Sequence, residues 1–336
     1  MLDMTTTGAG LNGFRILGTG RYLPQNKVTS AQIDQRLNWP EGTVAARFGL
    51  TSRHVAGAGE STSEMAAAAA RDALQAAGRE ASDLDLIIGG CGVMEQAIPS
   101  TAVLVQDRLG LGRSGIAAFD VNATCLGFVQ AMDVAAMYIA MGRARHVLVF
   151  ASDIASVGLD WNVPDTACIF GDGAAAVVLG IGEAGILASR METYGEGRGA
   201  CVLAGGGTGY ASLPPAAQAS ALYFQMDGPQ AWRHAARRLP RFTARLLDSA
   251  GVEMSDIACI IPHQASGGAL DHGLARLGLP AEKVVRTYTE CGNQIASSIP
   301  NALHHAVAAG RLQRGDLALL IGTSAGLSIG GMVVRY

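Results

Sequence analysis

The chain has 336 residues, of which 49% are hydrophobic and 16% charged, and its formal net charge at pH 7 is −3. This composition predicts a globular chain with a large buried core, and the small net charge does not favour bulk attraction to nucleic acid or to a membrane. No apolar run reaches the ~18 residues that a membrane span needs. Residues 1–13 contain no basic region followed by an apolar stretch, so we expect no secretion signal and a cytoplasmic protein. The six cysteines are scattered without a CxxC pair, which predicts reduced thiols and no metal site.

The first half of the chain, residues 14–180, is predicted to be an α/β unit. Residues 86–88 and 146–150 are continuous apolar runs, which are typical of strands buried on both faces. Helical patterns separate these runs, and one of them ends at Gly142. This alternation predicts βαβ crossovers in a layered fold.

Cys125 lies between a predicted strand at residues 116–121 and a predicted helix at about residues 126–141. A thiol at a helix N-terminus faces unpaired N–H groups and the positive end of the helix dipole. The position therefore predicts a nucleophile whose pKa is below the ~8.5 of free cysteine. Gly127 would allow close approach of another backbone or of a substrate. A buried structural cysteine is the alternative, and this segment alone favours neither.

The second half of the chain, residues 181–336, repeats features of the first. Residues 74–88 and 247–261 share several identities in register, at an offset of 173 (247 − 74). Gly142 and Gly310 end predicted helices at an offset of 168 (310 − 142). Generic α/β composition is the alternative explanation, but the repeat predicts two pseudo-symmetric halves, 14–180 and 181–336. The Gly-, Ala- and Pro-rich residues 183–222 are predicted to be a loop insertion between them.

The repeat also bears on the chemistry. Under the offset of 168, Cys125 corresponds to Asn293 (125 + 168), which also precedes a predicted helix. Pseudo-symmetric halves place equivalent helix starts near their common axis. We therefore expect Cys125 and Asn293 to approach each other from opposite halves.

Two further features of the second half are candidates for the site. His263 follows an apolar strand, where open α/β sheets place ligand sites. A structural histidine at position 263 and a simple N-cap at Asn293 are the alternatives. The glycine-bearing turn at residues 322–331 could aim a backbone N–H at a developing oxyanion, together with the N–H of Cys125. An ordinary hairpin turn would have the same composition.

Taken in order, these segments resemble the thiolase superfamily, specifically ketosynthases of the β-ketoacyl-acyl-carrier-protein synthase III type. The resemblance covers about residues 16–336. It rests on motifs in family order: Ile16-Leu-Gly-Thr-Gly-Arg-Tyr-Leu-Pro24, Arg47-Phe-Gly-Leu-Thr-Ser-Arg-His54, Pro99-Ser-Thr-Ala102, Asp120-Val-Asn-Ala-Thr-Cys125, Phe170-Gly-Asp-Gly173, Pro262-His-Gln-Ala265 and Gly292-Asn293. It implies a thiolase-like α/β fold with two pseudo-symmetric halves in an αβαβα arrangement.

The resemblance also implies roles for individual residues. Cys125 would accept the acyl group, and His263 and Asn293 would hydrogen-bond the thioester carbonyl of a malonyl-type extender during its decarboxylation. Gly326 falls where the family places its second oxyanion-hole donor. Phe170 would line the substrate pocket. The family is usually a homodimer, in which Ile98 would form a wall of the partner subunit's acyl pocket. The substrates would be thioesters of coenzyme A or acyl carrier protein, with no metal and no further cofactor.

The chain departs from acetyl-CoA-primed bacterial enzymes around the CoA nucleotide. Thr43 replaces an aromatic residue four positions before Arg47, and Gly268 replaces a basic residue. These losses favour delivery of the donor by a carrier protein, with Arg47 retained as a candidate contact. Arginines recur every four residues and could form a basic stripe for an acidic carrier protein, although a solvated helix face would look the same: Arg233, Arg237, Arg241 and Arg245. Pro240 is expected to kink or split this helix.

We therefore predict a ketosynthase that performs decarboxylative Claisen condensation. An acyltransferase of the same fold that uses a hydroxyl or amine acceptor is one alternative. A second is an enzyme that joins two acyl thioesters without decarboxylation, as olefin-pathway relatives do with a glutamate at the Ile98 position; Glu95 is nearby but out of register. A third is a scaffold subunit of a ketosynthase pair.

Overall fold

A computed structural model describes residues 13–183 and 185–336. The expectation that there is no secretion signal concerns residues 1–13, of which 1–12 lie outside the described residues. The strands are β1 (Phe14–Tyr22), β2 (Asn26–Thr29), β3 (Ser52–Val55), β4 (Leu86–Gly89), β5 (Ala117–Asp120), β6 (His146–Asp153), β7 (Gly173–Ile181), β8 (Ile186–Thr193), β9 (Cys201–Val202), β10 (Gln225–Met226), β11 (Ile257–Pro262), β12 (Leu317–Ser324) and β13 (Ser328–Arg335).

Twelve α-helices and several short 3₁₀ turns connect the strands in the described ranges. The α-helices are α1 (Ser30–Leu37), α2 (Thr43–Phe48), α3 (Thr62–Ala77), α4 (Thr101–Arg108), α5 (Gly127–Ala140), α6 (Pro164–Ala167), α7 (Pro215–Ala221), α8 (Gly228–Ala236), α9 (Leu239–Ala250), α10 (Gly267–Leu277), α11 (Tyr288–Cys291) and α12 (Ser298–Ala308). The two 3₁₀ turns that matter for the site are Thr124–Leu126 and Ile295–Ser297.

The strands of the two large sheets, five in one and four in the other, follow corresponding orders. The first is β1-β7-β6-β4-β5 and the second is β8-β13-β12-β11. In both, the first two pairings are antiparallel and the next is parallel. Val284 makes a parallel bridge to Ile260 of β11, in the place that β5 takes beside β4. Each sheet draws its strands from one of the predicted halves, with β7 ending at Ile181.

Helices and sheets alternate in five layers. Helices α3 and α4 cover the outer face of the first sheet, and α8, α9 and α10 cover the outer face of the second. The central layer consists of α5 and α12, which pack between the two sheets in one apolar cluster. Strands β6 and β7 are buried along nearly their whole length, as expected for strands with helices on both faces.

The predicted repeat is visible in the local structure. Helices α3 and α9 end at Gly78 and Gly251, both in the left-handed conformation that glycine adopts readily. A 3₁₀ turn with a reciprocal capping box follows each of them and leads into an apolar strand. The predicted order of helix, glycine, short loop and strand is confirmed in both halves.

The prediction of a loop insertion at residues 183–222 is wrong for part of that segment. Residues Ile186–Thr193 form β8, which pairs with β13 at the edge of the second sheet. Polar residues such as Arg190 and Glu192 obscured this strand in the sequence, because an edge strand buries its side chains only in part. The remainder contains β9, 3₁₀ turns and α7.

The offset of 168 does not describe the helix starts. The 3₁₀ turns Thr124–Leu126 and Ile295–Ser297 are equivalent, and each begins at a residue with positive φ, 48° at Thr124 and 50° at Ile295. Cys125 therefore corresponds to Ala296 (125 + 171), not to Asn293. The offset taken from Gly142 and Gly310 was wrong here because α5 has 14 residues and α12 only 11.

In the described residues, no helix combines the length and apolar character of a bilayer span.

Candidate active site

Cys125, His263 and Asn293 line one cavity of about 1420 Å³. Cys125 lies on the 3₁₀ turn before α5, His263 directly follows β11, and Asn293 lies between α11 and α12. The cavity therefore joins residues of both halves. Cys125 and Asn293 line this cavity from opposite halves, although the two positions are not symmetry equivalents.

The turn that carries Cys125 is fixed by close packing. Leu126 is fully buried, and a Cβ atom built on Gly322 or Gly330 would lie 3.3 or 2.9 Å from its side chain. A Cβ atom on Gly127 would lie 2.3 Å from the carbonyl oxygen of Gly90. The sequence-based expectation that Gly127 permits a close backbone approach is confirmed.

The prediction of a low thiol pKa is wrong for the resting protein. Burial raises the pKa of Cys125 to about 12, and the nearby charges of Asp153 and Cys201 add to the rise. Backbone hydrogen bonds from Ala325 and from Cys125 itself oppose it. Loss of water around the sulfur outweighs these N–H groups, because a thiolate in an apolar site lacks hydration. The thiol of Cys125 is therefore protonated at pH 7 in the protein without substrate.

His263 is a buried, neutral imidazole. Its exposed fraction is 7%, and burial lowers its pKa to about 4. The backbone N–H of His263 donates to the carbonyl of Ile321 at 2.8 Å, which ties the residue to β12. Its Nδ1 atom is buried and has no hydrogen-bond partner among the described residues. A neutral imidazole near the cavity can donate one N–H to a ligand at pH 7.

Asn293 is held from both halves. Its backbone N–H donates to Ile169 at 2.8 Å, and its carbonyl accepts from Gly171 at 3.1 Å, both on the segment around Phe170. Its side-chain oxygen accepts the N–H of Ile295 at 2.9 Å, and Nδ2 donates to the carbonyl of Ala265 at 3.1 Å. An amide nitrogen carries two hydrogens. The second N–H of Asn293 is therefore available for a ligand oxygen.

Asp153 connects the walls of the cavity, and we did not predict it from the sequence. One carboxylate oxygen accepts the N–H groups of Gly92 and Val93, each at 2.8 Å, and the other accepts that of Ser297 at 3.1 Å. The N–H of Ala296 also bonds the carboxylate. Burial raises the pKa of Asp153 to about 7 despite these bonds. Its position at the carboxyl end of β6 is the same signal that singled out His263 after β11.

The structure offers Ala325, beside the predicted Gly326, as a second candidate for the oxyanion-hole donor. Gly326 lines the cavity, but the backbone amide that bonds the sulfur of Cys125 is that of Ala325. The N–H groups of Cys125 and Ala325 both lie close enough to the sulfur to oppose the rise in its pKa.

The other candidate residues are divided between the cavity and the surface. Phe170 lines the cavity and stacks edge-to-face on Phe224, with ring centroids 5.3 Å apart. Ile98 is 86% exposed and lies outside the cavity lining of this chain. Arg47 is paired with Asp165 at 2.6 Å and is also outside the lining. Arg233, Arg237 and Arg241 are exposed.

Comparisons with known proteins show the family to which the chain belongs. Family models described as 3-oxoacyl-[acyl-carrier-protein] synthase III and its C-terminal part match residues 119–195 and 247–336. The chain is 37% identical to the β-ketoacyl-[acyl-carrier-protein] synthase III of Rhizorhabdus wittichii, over 96% of this chain and 98% of that protein. The chain belongs to the β-ketoacyl-acyl-carrier-protein synthase III family. The predicted family and enzyme class are confirmed.

Solved structures confirm the predicted thiolase-like fold class. The 3-oxoacyl-[acyl-carrier-protein] synthase III of Aquifex aeolicus superimposes with a TM-score of 0.87 at 34% identity, covering 96% of this chain and all of that one. The priming β-ketosynthase of the R1128 polyketide pathway gives a TM-score of 0.88 at 28% identity, covering 96% of each chain. The chain is thus similar to family members of both fatty-acid and polyketide type.

Burial is the main reason that the thiol of Cys125 stays protonated, and the charge of Asp153 is predicted to add to this effect. In Asp153→Asn this charge is lost, so the thiolate should form at lower pH and iodoacetamide should alkylate Cys125 several-fold faster at pH 8. The measurement is the pH profile of the alkylation rate, with circular dichroism to verify that the variant is folded. Asp172→Asn is the matched control, because Asp172 is also a buried carboxylate that bonds backbone N–H groups. An unchanged profile in folded Asp153→Asn would contradict the prediction.

Proposed function

We propose that the protein accepts an acyl group on Cys125 and condenses it with a malonyl-type thioester, with loss of CO₂, to give a β-ketoacyl thioester. The observation that carries this proposal is the shared cavity of a thiol, a neutral imidazole and an oriented carboxamide. A thiol supplies the nucleophile for acyl transfer, and the two N–H donors supply the groups that an enolate oxygen requires.

The first step is transfer of the acyl group. The sulfur of Cys125 attacks the thioester carbonyl, and the carbonyl oxygen becomes an oxyanion between the N–H groups of Cys125 and Ala325. Collapse of this intermediate breaks the carbon–sulfur bond of the donor, and the proton of Cys125 leaves with the departing thiol. Because the resting thiol is protonated, attack and proton loss must be coupled within the bound complex.

The second step forms the carbon–carbon bond. The carboxylate of the malonyl unit leaves as CO₂, and its electron pair passes to an enolate whose oxygen accepts hydrogen bonds from His263 and Asn293. A neutral imidazole suits this role, since decarboxylation calls for a donor rather than a base. The enolate carbon then attacks the acyl carbonyl, the bond to the sulfur breaks, and the Cys125 thiolate takes a proton from solvent.

Structural features weigh against the alternatives. Non-decarboxylative joining needs a base to remove a proton from an acyl chain; Glu95 lines the cavity, but one of its carboxylate oxygens accepts the N–H of Ser63 at 2.6 Å, at the N-terminus of α3. Acyl transfer to a hydroxyl or amine favours a basic imidazole, whereas burial lowers the pKa of His263 to about 4. A scaffold subunit would not need a thiol at a substrate cavity, and Cys125 lines the cavity.

We further propose that acyl carrier protein delivers at least one substrate and docks beside α8. Arg233 lies on α8, and Arg237 directly follows it. The predicted helix is split, and Arg241 lies on α9, which begins at Leu239, just before Pro240. Trp232, next to Arg233, lines the cavity. Arg47 is paired with Asp165 at the surface. Coenzyme A thioesters remain the alternative donors. The proposal requires no metal or cofactor.

We also retain the expectations of a homodimer and of a cytoplasmic location. Ile98, the predicted wall residue of the partner subunit's acyl pocket, is 86% exposed and is therefore free to contact a second subunit.

The chemistry is tested with intact-mass analysis of acylated protein. The protein incubated with an acyl donor should gain the acyl mass, and peptide mapping should place it on Cys125 rather than on Cys201. Cys125→Ala should gain nothing. His263→Ala and Asn293→Ala should still be acylated but should condense with malonyl thioester roughly 100-fold more slowly.

The outcomes of this experiment separate the alternatives. Lack of an adduct with every donor would favour the scaffold role. An adduct that passes to hydroxyl or amine acceptors, but not to malonyl thioester, would favour the acyltransferase.

Carrier-protein docking predicts a charge effect. The triple variant Arg233→Glu, Arg237→Glu and Arg241→Glu should raise the KM for acyl carrier protein by about tenfold or more, most strongly at low ionic strength. Turnover of a short pantetheine thioester should not change. The control is the pair Arg79→Glu and Arg113→Glu, which alters charge on the N-terminal half. Equal KM values for the triple variant and the control would refute docking on this face.

A further inference from the structure

The cavity extends well beyond the reacting groups, into the C-terminal half. Part of its lining belongs to the hydrophobic core between the second sheet and its outer helices. We name this part the C-terminal chamber and define it by six side chains: Leu239, Ile260, Leu274, Leu277, Leu279 and Ile321. They come from α9, α10, the residues after α10, and strands β11 and β12.

The chamber lies in the interior of this half. Ile260, Ile321 and Leu239 have exposed fractions of 0%, 4% and 8%. All six defining side chains are aliphatic, and none of them offers a charge or a side-chain hydrogen bond to a ligand. A site of this chemistry favours hydrocarbon over a polar group.

Small residues on α8 and α10 explain why the space is not filled. Ala231 and Ala235 of α8, and Ala269 and Gly273 of α10, line the cavity. A Cβ atom built on Gly273 would meet no atom within 4 Å. The two helices contact each other through larger groups, such as Trp232 and His272 with ring centroids 5.8 Å apart. Helices α8 and α10 are therefore held apart, which leaves space between them and the apolar residues of β11 and β12.

The volume exceeds what a small acyl group requires. Drug-sized ligands occupy pockets of roughly 300–1,000 Å³, whereas this cavity measures about 1420 Å³. Each methylene group moved from water into an apolar site strengthens binding roughly fourfold. A substrate that places several methylene groups in the chamber would thus be strongly preferred over an acetyl group.

We propose that the C-terminal chamber binds the aliphatic chain of a thioester substrate, which makes the enzyme selective for medium- or long-chain acyl groups. The inference rests on the proposed function, because it assumes that the chain belongs to a substrate that reacts at Cys125. The chain could be carried by the acyl donor or by an alkyl substituent on the malonyl extender, and the test separates these two sources.

The test uses two glycines of α10. Gly273→Leu places a side chain in the chamber, while Gly268→Leu adds the same side chain at an exposed position of the same helix, where a Cβ atom also meets nothing within 4 Å. Leucine favours helix more than glycine does, so both variants should fold. Circular dichroism verifies this.

In the first arm, kcat/KM is measured for acetyl, octanoyl and dodecanoyl donors with malonyl extender. In the second arm, the donor is constant and the extender is malonyl or hexylmalonyl. The longer chain should be preferred by about tenfold or more in one arm, which identifies its source. Gly273→Leu should lower kcat/KM for the longer chain at least tenfold more than for acetyl or malonyl, and Gly268→Leu should retain the preference. No preference in either arm, or equal losses for short and long chains in Gly273→Leu, would overturn the proposal.

A binding measurement distinguishes failure of the chamber from failure of the proposed function. Dodecyl-pantetheine thioether cannot acylate Cys125, so calorimetry reports its binding independently of chemistry. Gly273→Leu should weaken this binding at least tenfold relative to wild type and to Gly268→Leu. Equal affinities would refute the chamber even if catalysis proceeds, whereas a selective loss would support it even if no donor acylates the protein.

Discussion

The candidate site depends on the contact between two 3₁₀ turns, Thr124–Leu126 and Ile295–Ser297. The buried carboxylate of Asp153 stabilises this contact. Asp153 bonds the loop at Gly92 in one half and the turn at Ser297 in the other. A buried carboxylate must be satisfied by several donors to remain stable. The requirement to satisfy this group therefore fixes the relative position of the two halves where the substrate has to react.

Burial at the contact between the two halves also determines the protonation states of Cys125 and His263. It raises the pKa of Cys125 and lowers that of His263, so both groups are neutral at pH 7 in the resting protein. A neutral thiol does not react with stray electrophiles as a thiolate would, and a neutral imidazole donates a hydrogen bond instead of removing a proton. Activation of the nucleophile then depends on the bound thioester and on the two N–H groups at the sulfur.

Much of this arrangement could be predicted from the sequence, and the remaining features are visible only in the three-dimensional structure. Cys125 before a helix, His263 after a strand and the repeated helix–glycine–strand units indicated the fold and the candidate site. The pKa of Cys125 could not be predicted, because it depends on desolvation by residues distant in sequence. Ala325 was missed because only backbone geometry shows which amide faces the sulfur, and β8 because polar residues occupy an edge strand.

The central claim is that Cys125, His263 and Asn293 act on one thioester. The most direct measurement is a crystal structure of Cys125-acylated protein with a non-decarboxylating malonyl-thioester analogue bound. The account predicts the analogue's thioester carbonyl oxygen within hydrogen-bond distance of both the His263 imidazole and the Asn293 amide nitrogen, with its reactive carbon facing the acyl carbonyl on Cys125. An analogue bound with its carbonyl away from both side chains would contradict it.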